Sequence, residues 1–152
     1  MKNLIGVIGA GECNKEVYDI AVDLGKQLGE NGFSIICGGL GGVMEAVCKG
    51  VKTANQITIG ILPGNDPADA NPYIDIPVAT GMGIGRNIII IRSASVIVAV
   101  NGKFGTLSEI AFALQLNKPV IGLQSWDISE QIIKVDDVET AVLNVKNCLN
   151  NV

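Results

Sequence analysis

The chain has 152 residues, of which 48% are hydrophobic, 17% are charged and 19 are glycine, and it contains no histidine. This length and apolar content predict one domain over residues 1–152, with a core that needs no disulfide or metal. The formal net charge of -4 argues against nucleic-acid binding, and the lack of histidine excludes imidazole catalysis, Ser/His/Asp triads and His-ligated zinc.

Two hydrophobic periods alternate along the chain. Short apolar runs predict buried strands over residues 4–8, 33–37, 57–62, 74–79, 95–100 and 119–123. Between and after them, apolar residues at helical spacing predict helices over residues 17–28, 43–51, 84–93, 107–114 and 138–149. Asn14 is the expected N-cap of the first helix, which Asn31 and Gly32 terminate. Residues 63–73 are rich in Pro, Asp, Asn and Gly and predict a surface loop.

Residues 88–91 are consecutive isoleucines, and they fit two structures. β-Branched residues favour a strand by propensity. However, the strand predicted at residue 95 needs a crossover before it if the sheet is parallel, so we predict a helix over residues 84–93. Such a helix is apolar on nearly every face, which indicates burial in the core or in a subunit interface.

Strands that alternate with helices and are apolar throughout indicate a parallel sheet with both faces covered. The expected fold class is therefore α/β, with a single doubly wound parallel sheet and helices on both faces. The cysteines, Cys13, Cys37, Cys48 and Cys148, form no C-x-x-C pair and have no metal-ligand spacing. They indicate small buried residues in a reducing cytosol.

The sequence has no apolar run near the roughly 18 residues that span a bilayer. The apolar segment at the N-terminus is too short and glycine-interrupted for a secretory signal. We therefore expect a cytoplasmic protein that has no membrane contact.

Glycine-rich turns follow several predicted strands, at residues 9–11, 38–42, 81–85 and 102–105. In an open α/β sheet these turns fall at the carboxyl edge, where ligands bind at a topological switch point. Glycine lets the backbone approach an anion closely, and the following helix presents unpaired N–H groups. A phosphate or nucleotide site is therefore favoured over ordinary turn-making. The candidate ligand-binding glycines are Gly9, Gly11, Gly38, Gly39, Gly41, Gly42, Gly83, Gly102 and Gly105.

These turns match neither common nucleotide fingerprint. Gly9 and Gly11 supply the first two glycines of a dinucleotide-binding turn, but Asn14 stands at the third position. The second strand ends in Cys37 rather than in an acidic residue for the ribose hydroxyl, and no Walker A sequence is present. The sequence predicts a nucleotide-type fold without either fingerprint.

Arg86 stands at the predicted start of a helix, where a cation opposes the helix dipole by about 0.3–1 kcal/mol. Local stability therefore does not explain it, and a guanidinium that contacts a ligand phosphate or carboxylate is favoured over a surface ion pair. Arg92, the other arginine, falls in the last turn of the same predicted helix, where a cation suits the dipole.

Two interpretations of Glu109 stay open. Residues 106–109 match a capping box, in which Thr106 is the N-cap and Glu109 reaches back to its amide. Alternatively, Glu109 stands in the first helical turn beside a glycine loop, at the same sheet edge as Arg86, and belongs to the ligand site. Spacing alone favours neither.

Three motifs in this order resemble the Lonely Guy (LOG) family of nucleoside-monophosphate phosphoribohydrolases and the related molybdenum cofactor carrier proteins. Residues 101–109 (NGKFGTLSE) lie in the register of the LOG segment PGGxGTxxE. Residues 38–44 (GGLGGVM) are similar to the GGGxxGxM turn, which ends here at Met44. Arg86 and Asn87 fall where LOG enzymes have an Arg-Lys pair, and the resemblance covers residues 4–125.

The resemblance implies a Rossmann-like fold, a homodimer or homotetramer, and a nucleotide-like ligand near a subunit interface. It implies that, in an enzyme, Glu109 stabilises oxocarbenium-like charge or activates water and Arg86 orients the substrate. Met44, Asn87, Lys103 and Thr106 join the candidate ligand contacts, and Lys103 would reach a phosphate through its side chain.

Asn87, Asn101 and Lys103 depart from the LOG pattern, and these departures favour the carrier branch. The expected function is binding of a phosphorylated small molecule, either a nucleotide or a molybdopterin-type cofactor. The alternative is a phosphoribohydrolase that cleaves the N-glycosidic bond of a nucleoside 5′-monophosphate. DNA binding, found in more distant relatives of this fold, is disfavoured because the chain is acidic and has only one Trp, two Tyr and three Phe for base stacking.

Overall fold

The structure, a computed structural model, describes residues 4–151 and contains one sheet of seven strands. The strands are β1 (Leu4–Gly9), β2 (Ser34–Cys37), β3 (Thr58–Leu62), β4 (Ile76–Ala79), β5 (Val96–Val100), β6 (Val120–Leu123) and β7 (Ile132–Val135). They lie in the order β4-β3-β2-β1-β5-β6-β7, and all neighbours are parallel. From β1 the chain adds β2, β3 and β4 on one side and then returns to add β5, β6 and β7 on the other side. This arrangement confirms the predicted doubly wound α/β fold.

Helices cover both faces of the sheet. They are α1 (Lys15–Glu30), α2 (Val43–Lys52), α3 (Asn87–Ser93), α4 (Phe104–Gln115) and α5 (Val138–Asn150), with 3₁₀ turns at Pro67–Asp69 and Gly83–Arg86. α1, α2 and α5 pack on one face, and α3 and α4 pack on the other. No helix within residues 4–151 combines the length and apolar character that a membrane span requires.

The hydrophobic core lies on both sides of the sheet because strands send alternate side chains to opposite faces. In β1, Ile5 and Val7 face α1 and α2, whereas Leu4 and Ile8 face α3 and α4. Every residue of β5 is buried in the same alternation. Strands buried on both faces read as continuous apolar runs, and this is why the sequence identifies them.

The ends of α1 are capped as the sequence predicts. The side chain of Asn14 accepts a hydrogen bond from the Val17 amide at 2.9 Å. At the other end, the Asn31 amide donates to carbonyls of the last turn, and Gly32 adopts a φ of 82°. Short polar caps therefore fix where the helix begins and ends.

α1 and α2 approach so closely that only glycine fits where they touch. A Cβ on Gly50 would lie 2.0 Å from the carbonyl oxygen of Val22, and a Cβ on Gly25 would lie 2.0 Å from that of Val47. Both neighbours are backbone atoms, which cannot turn aside as a flexible side chain does. Any larger residue therefore has to separate the two helices.

We expect Gly50→Ala to lower the free energy of unfolding by about 1–3 kcal/mol, because α1 and α2 must move apart to admit the methyl group. For a domain of this size, the melting temperature should fall by about 2–12 °C, measured by circular dichroism. Lys146→Ala, on the exposed side of α5, is the control and should stay within about 0.5 kcal/mol of the wild type. An unchanged melting temperature for Gly50→Ala would contradict the tight crossing.

The sheet contains one strand, β7, that the sequence analysis does not predict. It pairs with β6, and its residues Ile132 and Val135 are buried. The strand has only four residues, includes Lys134, and follows β6 through a loop at residues 124–131 rather than through a helix. Parallel strands are usually joined by a longer crossover, so the pattern of the sequence does not reveal this connection.

The consecutive isoleucines at residues 88–91 lie in a helix, α3, as predicted. Ile90 and Ile91 are buried in the core, and Ile88 and Ile89 are half-buried. α3 belongs to the crossover between β4 and β5. The need for that crossover overrides the strand propensity of isoleucine.

Candidate functional site

A cleft of about 490 Å³ lies at the carboxyl edge of the sheet. The turns that follow β1 and β5 form two of its walls, and these are the adjacent strands between which the chain order reverses. The turn after β2 and the start of α3 complete it. Open α/β sheets bind their ligands at such a topological switch point.

The structure brings most of the predicted ligand residues together in this cleft. Those that line it are Gly9, Gly11, Gly38, Met44, Arg86, Asn87, Lys103, Gly105, Thr106 and Glu109. Those that do not line it are Gly39, Gly41, Gly42, Gly83 and Gly102. Further lining residues, which the sequence motifs do not indicate, are Val7, Ile8, Ala10, Glu12, Leu40 and Ile84. Glu12 directly follows the glycine turn at residues 9–11, and this position is the signal that could have identified it.

Gly42 shapes the cleft without lining it. Its φ is 61°, a conformation that favours glycine, and a Cβ there would lie 2.3 Å from the carbonyl oxygen of Ala10. The Val43 amide donates to the same oxygen at 3.0 Å. These contacts hold the turn after β2 against the turn after β1. The glycine at this position therefore serves packing between the two turns.

Arg86 ends the 3₁₀ turn before α3 and is only 9% exposed. Its Nε donates to the carbonyl oxygen of Ile61 at 2.8 Å, and its Nη2 donates to that of Gly38 at 3.5 Å. Its Nη1 donates to the side-chain oxygen of Asn87. The guanidinium thus clamps the ends of β2 and β3, and the alternative of a surface ion pair is wrong. Because a guanidinium has five N–H groups, donors remain for a ligand.

Of the two interpretations of Glu109, the capping box with Thr106 is wrong. α4 begins at Phe104, its N-cap residue Lys103 makes no side-chain cap hydrogen bond, and both predicted residues lie inside the helix. Gly102 allows this early start, since its φ is 110° and a Cβ there would lie 2.4 Å from the Cβ of Thr106. Glu109 consequently stands in the second turn of α4, not the first, and capping does not account for it.

Glu109 is a buried carboxyl that faces the cleft. It is 8% exposed, and no residue between positions 4 and 151 donates a hydrogen bond to its carboxylate. Burial raises the pKa of Glu109 to about 7, although the positive charge of Arg86 partly lowers it. Burial also lowers the pKa of the Arg86 guanidinium, and the charge of Glu109 opposes that change. Near neutral pH, Glu109 can therefore either donate or accept a hydrogen bond.

Unpaired backbone donors also line the cleft, one helical turn before Glu109 on α4. The first turn of a helix has no internal acceptors for its amides, and α4 is 12 residues long. Within the described part of the chain, the amides of Gly105 and Thr106 donate to no protein acceptor, and neither does that of Gly11. The exposed side chain of Lys103 lies beside them. Amide donors, a helix N-terminus and a cation together suit a phosphate group.

The thiols lie outside this cleft. Cys37 and Cys48 are buried with their Sγ atoms 3.7 Å apart, and the hydrogen bond between them lowers the pKa of Cys37. Cys13 and Cys148 are half-buried, and all four are free. Among the residues that the structure describes, no group of three or more His, Cys, Asp or Glu side chains is arranged to hold a metal ion.

The strand order and the position of the cleft define a doubly wound, Rossmann-like α/β protein. Comparison with known proteins gives its family. The chain belongs to the SLOG cluster4 family, whose model matches residues 2–151. Together with the relatives and solved structures below, this assignment confirms the resemblance to LOG proteins and molybdenum cofactor carriers that the three sequence motifs carry.

Two relatives show how similar the chain is to known proteins in sequence. An uncharacterized protein from Archaeoglobus fulgidus is 44% identical over 138 residues, which are 91% of this chain and 91% of that protein. The cytokinin riboside 5′-monophosphate phosphoribohydrolase LOG of Oryza sativa subsp. japonica is 31% identical over 129 residues, or 78% of this chain. The match spans only 53% of the rice enzyme's length.

Solved structures give the same grouping. The molybdenum cofactor binding protein of Rippkaea orientalis has a TM-score of 0.91 and 34% identity, and the match covers 97% of each chain. The molybdenum cofactor carrier protein of Chlamydomonas reinhardtii has a TM-score of 0.91 and 35% identity, covering 99% of each. DNA processing protein A of Helicobacter pylori, at 16% identity and a TM-score of 0.72 over 95% of this chain and 80% of its own, shares the fold alone.

Proposed function

We propose that this protein is a cytoplasmic carrier that binds a phosphorylated, nucleotide-like ligand, either a nucleotide or a molybdopterin-type cofactor. One observation carries the proposal: unpaired amides at the start of α4 meet Arg86 and Lys103 in a cleft at the switch point of the sheet. The volume of about 490 Å³ lies within the range of small-molecule pockets. Similarity to molybdenum cofactor carriers over nearly the whole chain supports the pterin-type ligand.

In this proposal the phosphate binds at the start of α4. The amides of Gly105 and Thr106 donate to its oxygens, and the ammonium of Lys103 neutralises part of its charge. The backbone there is open, because a Cβ on Gly105 would meet no atom within 4 Å apart from its chain neighbours and the backbone of its own helix. Arg86, fixed by its contacts to β2 and β3, offers its remaining donors without the entropy loss of a mobile side chain.

Glu109 recognises the ring of the ligand. It is the buried, unpartnered acid of the cleft, so its ionised form accepts a hydrogen bond from a ring N–H and its protonated form donates to a ring nitrogen. Purines and pterins carry both kinds of group on their edges. The cytoplasmic assignment is supported by the four free thiols, which suit a reducing compartment.

Calorimetric titration with AMP, GMP and a pterin phosphate tests this function. We expect binding at submillimolar concentration, and we expect Lys103→Ala to weaken it at least about tenfold, since a hydrogen bond to a charged group contributes about 1.5–3 kcal/mol. The Lys103 side chain is exposed, so the variant should fold normally. Lys146→Ala, which removes an equal charge far from the cleft, is the control. If no member of the panel binds, the proposed function is wrong.

A second candidate function is hydrolysis of a nucleoside 5′-monophosphate. The observation that favours it is the buried carboxyl of Glu109 in the cleft, together with 31% identity to the rice phosphoribohydrolase. In its ionised form, Glu109 would stabilise positive charge that develops on the ribose as the C1′–N bond breaks. Water then adds its hydroxyl to C1′, and the base leaves with the proton.

Incubation with AMP and other monophosphates tests this alternative. Hydrolysis predicts release of ribose 5-phosphate and the free base by the wild type, and loss of that release in Glu109→Gln. Binding of the same nucleotides without release by the wild type would leave a carrier and eliminate the hydrolase.

We also propose that the protein forms a homodimer or homotetramer through the face that carries α3 and α4. Ile84, in the 3₁₀ turn, is 86% exposed, and Ile76 and Val78 of β4 are also exposed. The two β4 residues pair with Ile59 and Ile61; Ile61 belongs to the core on that same face, and Ile59 packs against it. Exposed apolar side chains grouped in this way indicate a protein interface. Ile84 also lines the cleft, so a partner copy would border the ligand site.

Ile84→Asp should shift the protein to a monomer, because the interface would have to bury an unpaired carboxylate. We expect association to weaken at least about tenfold, and light scattering after gel filtration at a fixed concentration measures the mass. Leu143→Asp, at an exposed leucine of α5 on the other face, is the matched control and should keep the oligomer. A monomeric wild type, or equal masses for both variants, would contradict the proposed face.

A further inference from the structure

A second cavity lies beside the cleft at the same edge of the sheet. Its volume is about 350 Å³, and it is formed by the turn after β5 and the segment after β6. Asn101 and Gly102 form one wall, and residues 124–127 form the other. The function proposed above does not use this cavity.

Trp126, in the wall of this cavity, belongs to an aromatic pair with Phe104. The ring centroids are 6.1 Å apart, and the planes are inclined by 25°. The indole Nε1 of Trp126 donates to the carbonyl oxygen of Lys103 at 3.0 Å, so the ring is held in one orientation. Phe104 is 79% exposed. Trp126 is half-buried and lines the cavity, whereas Phe104 packs against it from outside the lining. Trp126 therefore offers a ring on which a planar heteroaromatic group can stack, and Phe104 supports it.

The other residues of the cavity provide donors and acceptors for the edge of such a ring. The side-chain oxygen of Asn101 accepts from the Gly102 amide at 2.8 Å, which leaves its two N–H groups for a ligand. Gln124 makes no side-chain hydrogen bond with the residues that the structure describes. Asp127 pairs with Lys134 through one carboxylate oxygen at 2.9 Å, so its second oxygen can accept.

The cavity and the cleft share the segment of residues 101–105. Asn101 and Gly102 line the cavity, whereas Lys103 and Gly105 line the cleft. The ends of this segment lie at most about 15 Å apart, a span that two nucleosides joined through phosphates can cover. Lys103 stands between the two spaces and supplies positive charge where the linking phosphates would pass.

We propose that the second cavity is a subsite for the purine base of a dinucleotide-type ligand whose other half occupies the cleft. The inference rests on the proposed function, because the cleft must hold the first phosphate-bearing half. The base stacks on Trp126, which Phe104 supports, and Asn101 and Gln124 hydrogen-bond to its edge. The linking phosphates lie against Lys103. Such a ligand contains two planar ring systems, one for each space.

Fluorescence of Trp126 tests the proposal directly, because it is the only tryptophan of the chain. The probes are AMP and GMP, together with diadenosine diphosphate and diguanosine diphosphate, and each is also titrated by calorimetry. We expect at least one dinucleotide to bind at least about tenfold more tightly than its mononucleotide and to quench the tryptophan more strongly. Phe104→Ala should remove that advantage and leave the mononucleotide affinity unchanged. Phe112→Ala, an exposed phenylalanine on the same helix, is the matched control and should keep the advantage.

The outcomes separate the two proposals. If mononucleotides and dinucleotides bind equally and the fluorescence does not respond, the subsite is wrong while the function of the cleft stands. If Phe104→Ala and Phe112→Ala behave alike, the aromatic pair is not the platform. If none of the four nucleotides binds, this inference is overturned, and the pterin phosphate of the calorimetric panel decides the proposed function separately.

Discussion

Replacement of Arg86 by methionine should lower the free energy of unfolding by about 3 kcal/mol. Methionine fills much of the same space but leaves the carbonyl oxygens of Ile61 and Gly38 without their guanidinium donors. The side-chain oxygen of Asn87 loses its donor as well. A buried acceptor that loses its partner costs about 1–3 kcal/mol, and the longer contact to Gly38 contributes least. Together, these lost hydrogen bonds make Arg86 one of the polar positions at which a substitution should destabilise the fold most.

Urea unfolding at neutral pH measures this effect, and a fall in melting temperature of about 6–12 °C should accompany it. Arg92→Met is the matched control, because Arg92 is exposed at the end of α3, and its change should stay within about 0.5 kcal/mol. Arg86→Lys should resemble Arg86→Met, since a single ammonium cannot replace the forked guanidinium on separate carbonyls. Equal unfolding midpoints for Arg86→Met and the wild type would show that the clamp has no structural role.

This structural role changes how variants of the site have to be interpreted. Arg86 holds β2, β3 and the start of α3 together and also lines the cleft, so its removal affects folding and ligand contact at once. Lys103 lines the same cleft but is exposed and supports no other element through its side chain. The affinity of Lys103 variants therefore reports ligand contact, whereas that of Arg86 variants reports a mixture of both effects.

The sequence predicts the doubly wound sheet because its strands are short apolar runs separated by helical periods. Prediction fails at β7, where a four-residue strand follows β6 through a loop. It also fails at the start of α4, where Thr106 and Glu109 match a capping box in sequence. Close packing of Thr106 against Gly102 starts the helix earlier, and this is a contact in space that no spacing in the sequence encodes.

The roles of the glycines in the candidate site also could not be predicted from the sequence. Gly42 and Gly105 both belong to glycine-rich turns after strands, so the sequence treats them alike. In the structure, a Cβ on Gly42 would lie 2.3 Å from the carbonyl oxygen of Ala10. A Cβ on Gly105 would meet no atom within 4 Å apart from its chain neighbours and the backbone of its own helix. The first glycine permits contact between two turns, and the second leaves room beside unpaired amides. Topology places both turns at one edge, but only packing distinguishes their roles.

Glu109 should make the stability of the protein fall as the pH rises. Burial raises its pKa from an ordinary 4.5 to about 7, so the folded state holds the proton more tightly than the unfolded chain does. Its stabilising contribution is therefore fully present below about pH 4.5 and is lost as the pH passes through about 7. Glu109→Gln removes the dependence, because the amide is neutral at every pH. Between about pH 5 and pH 8, the variant should gain about 2–3 kcal/mol relative to the wild type.

Urea unfolding at both pH values measures the free energy of unfolding of the variant and of the wild type. The contributions of all other titrating groups cancel in the difference between the two proteins. Glu130→Gln changes an exposed carboxyl in a loop, so it is the control and its difference from the wild type should be the same at both pH values. If Glu109→Gln behaves like Glu130→Gln, the carboxyl is solvated in solution and cannot serve as the buried acid of the cleft. If the difference grows as expected, the protein keeps a destabilising buried carboxyl at neutral pH. No described residue donates a hydrogen bond to this carboxyl, so its cost to folding supports the proposed role of Glu109 in ligand binding.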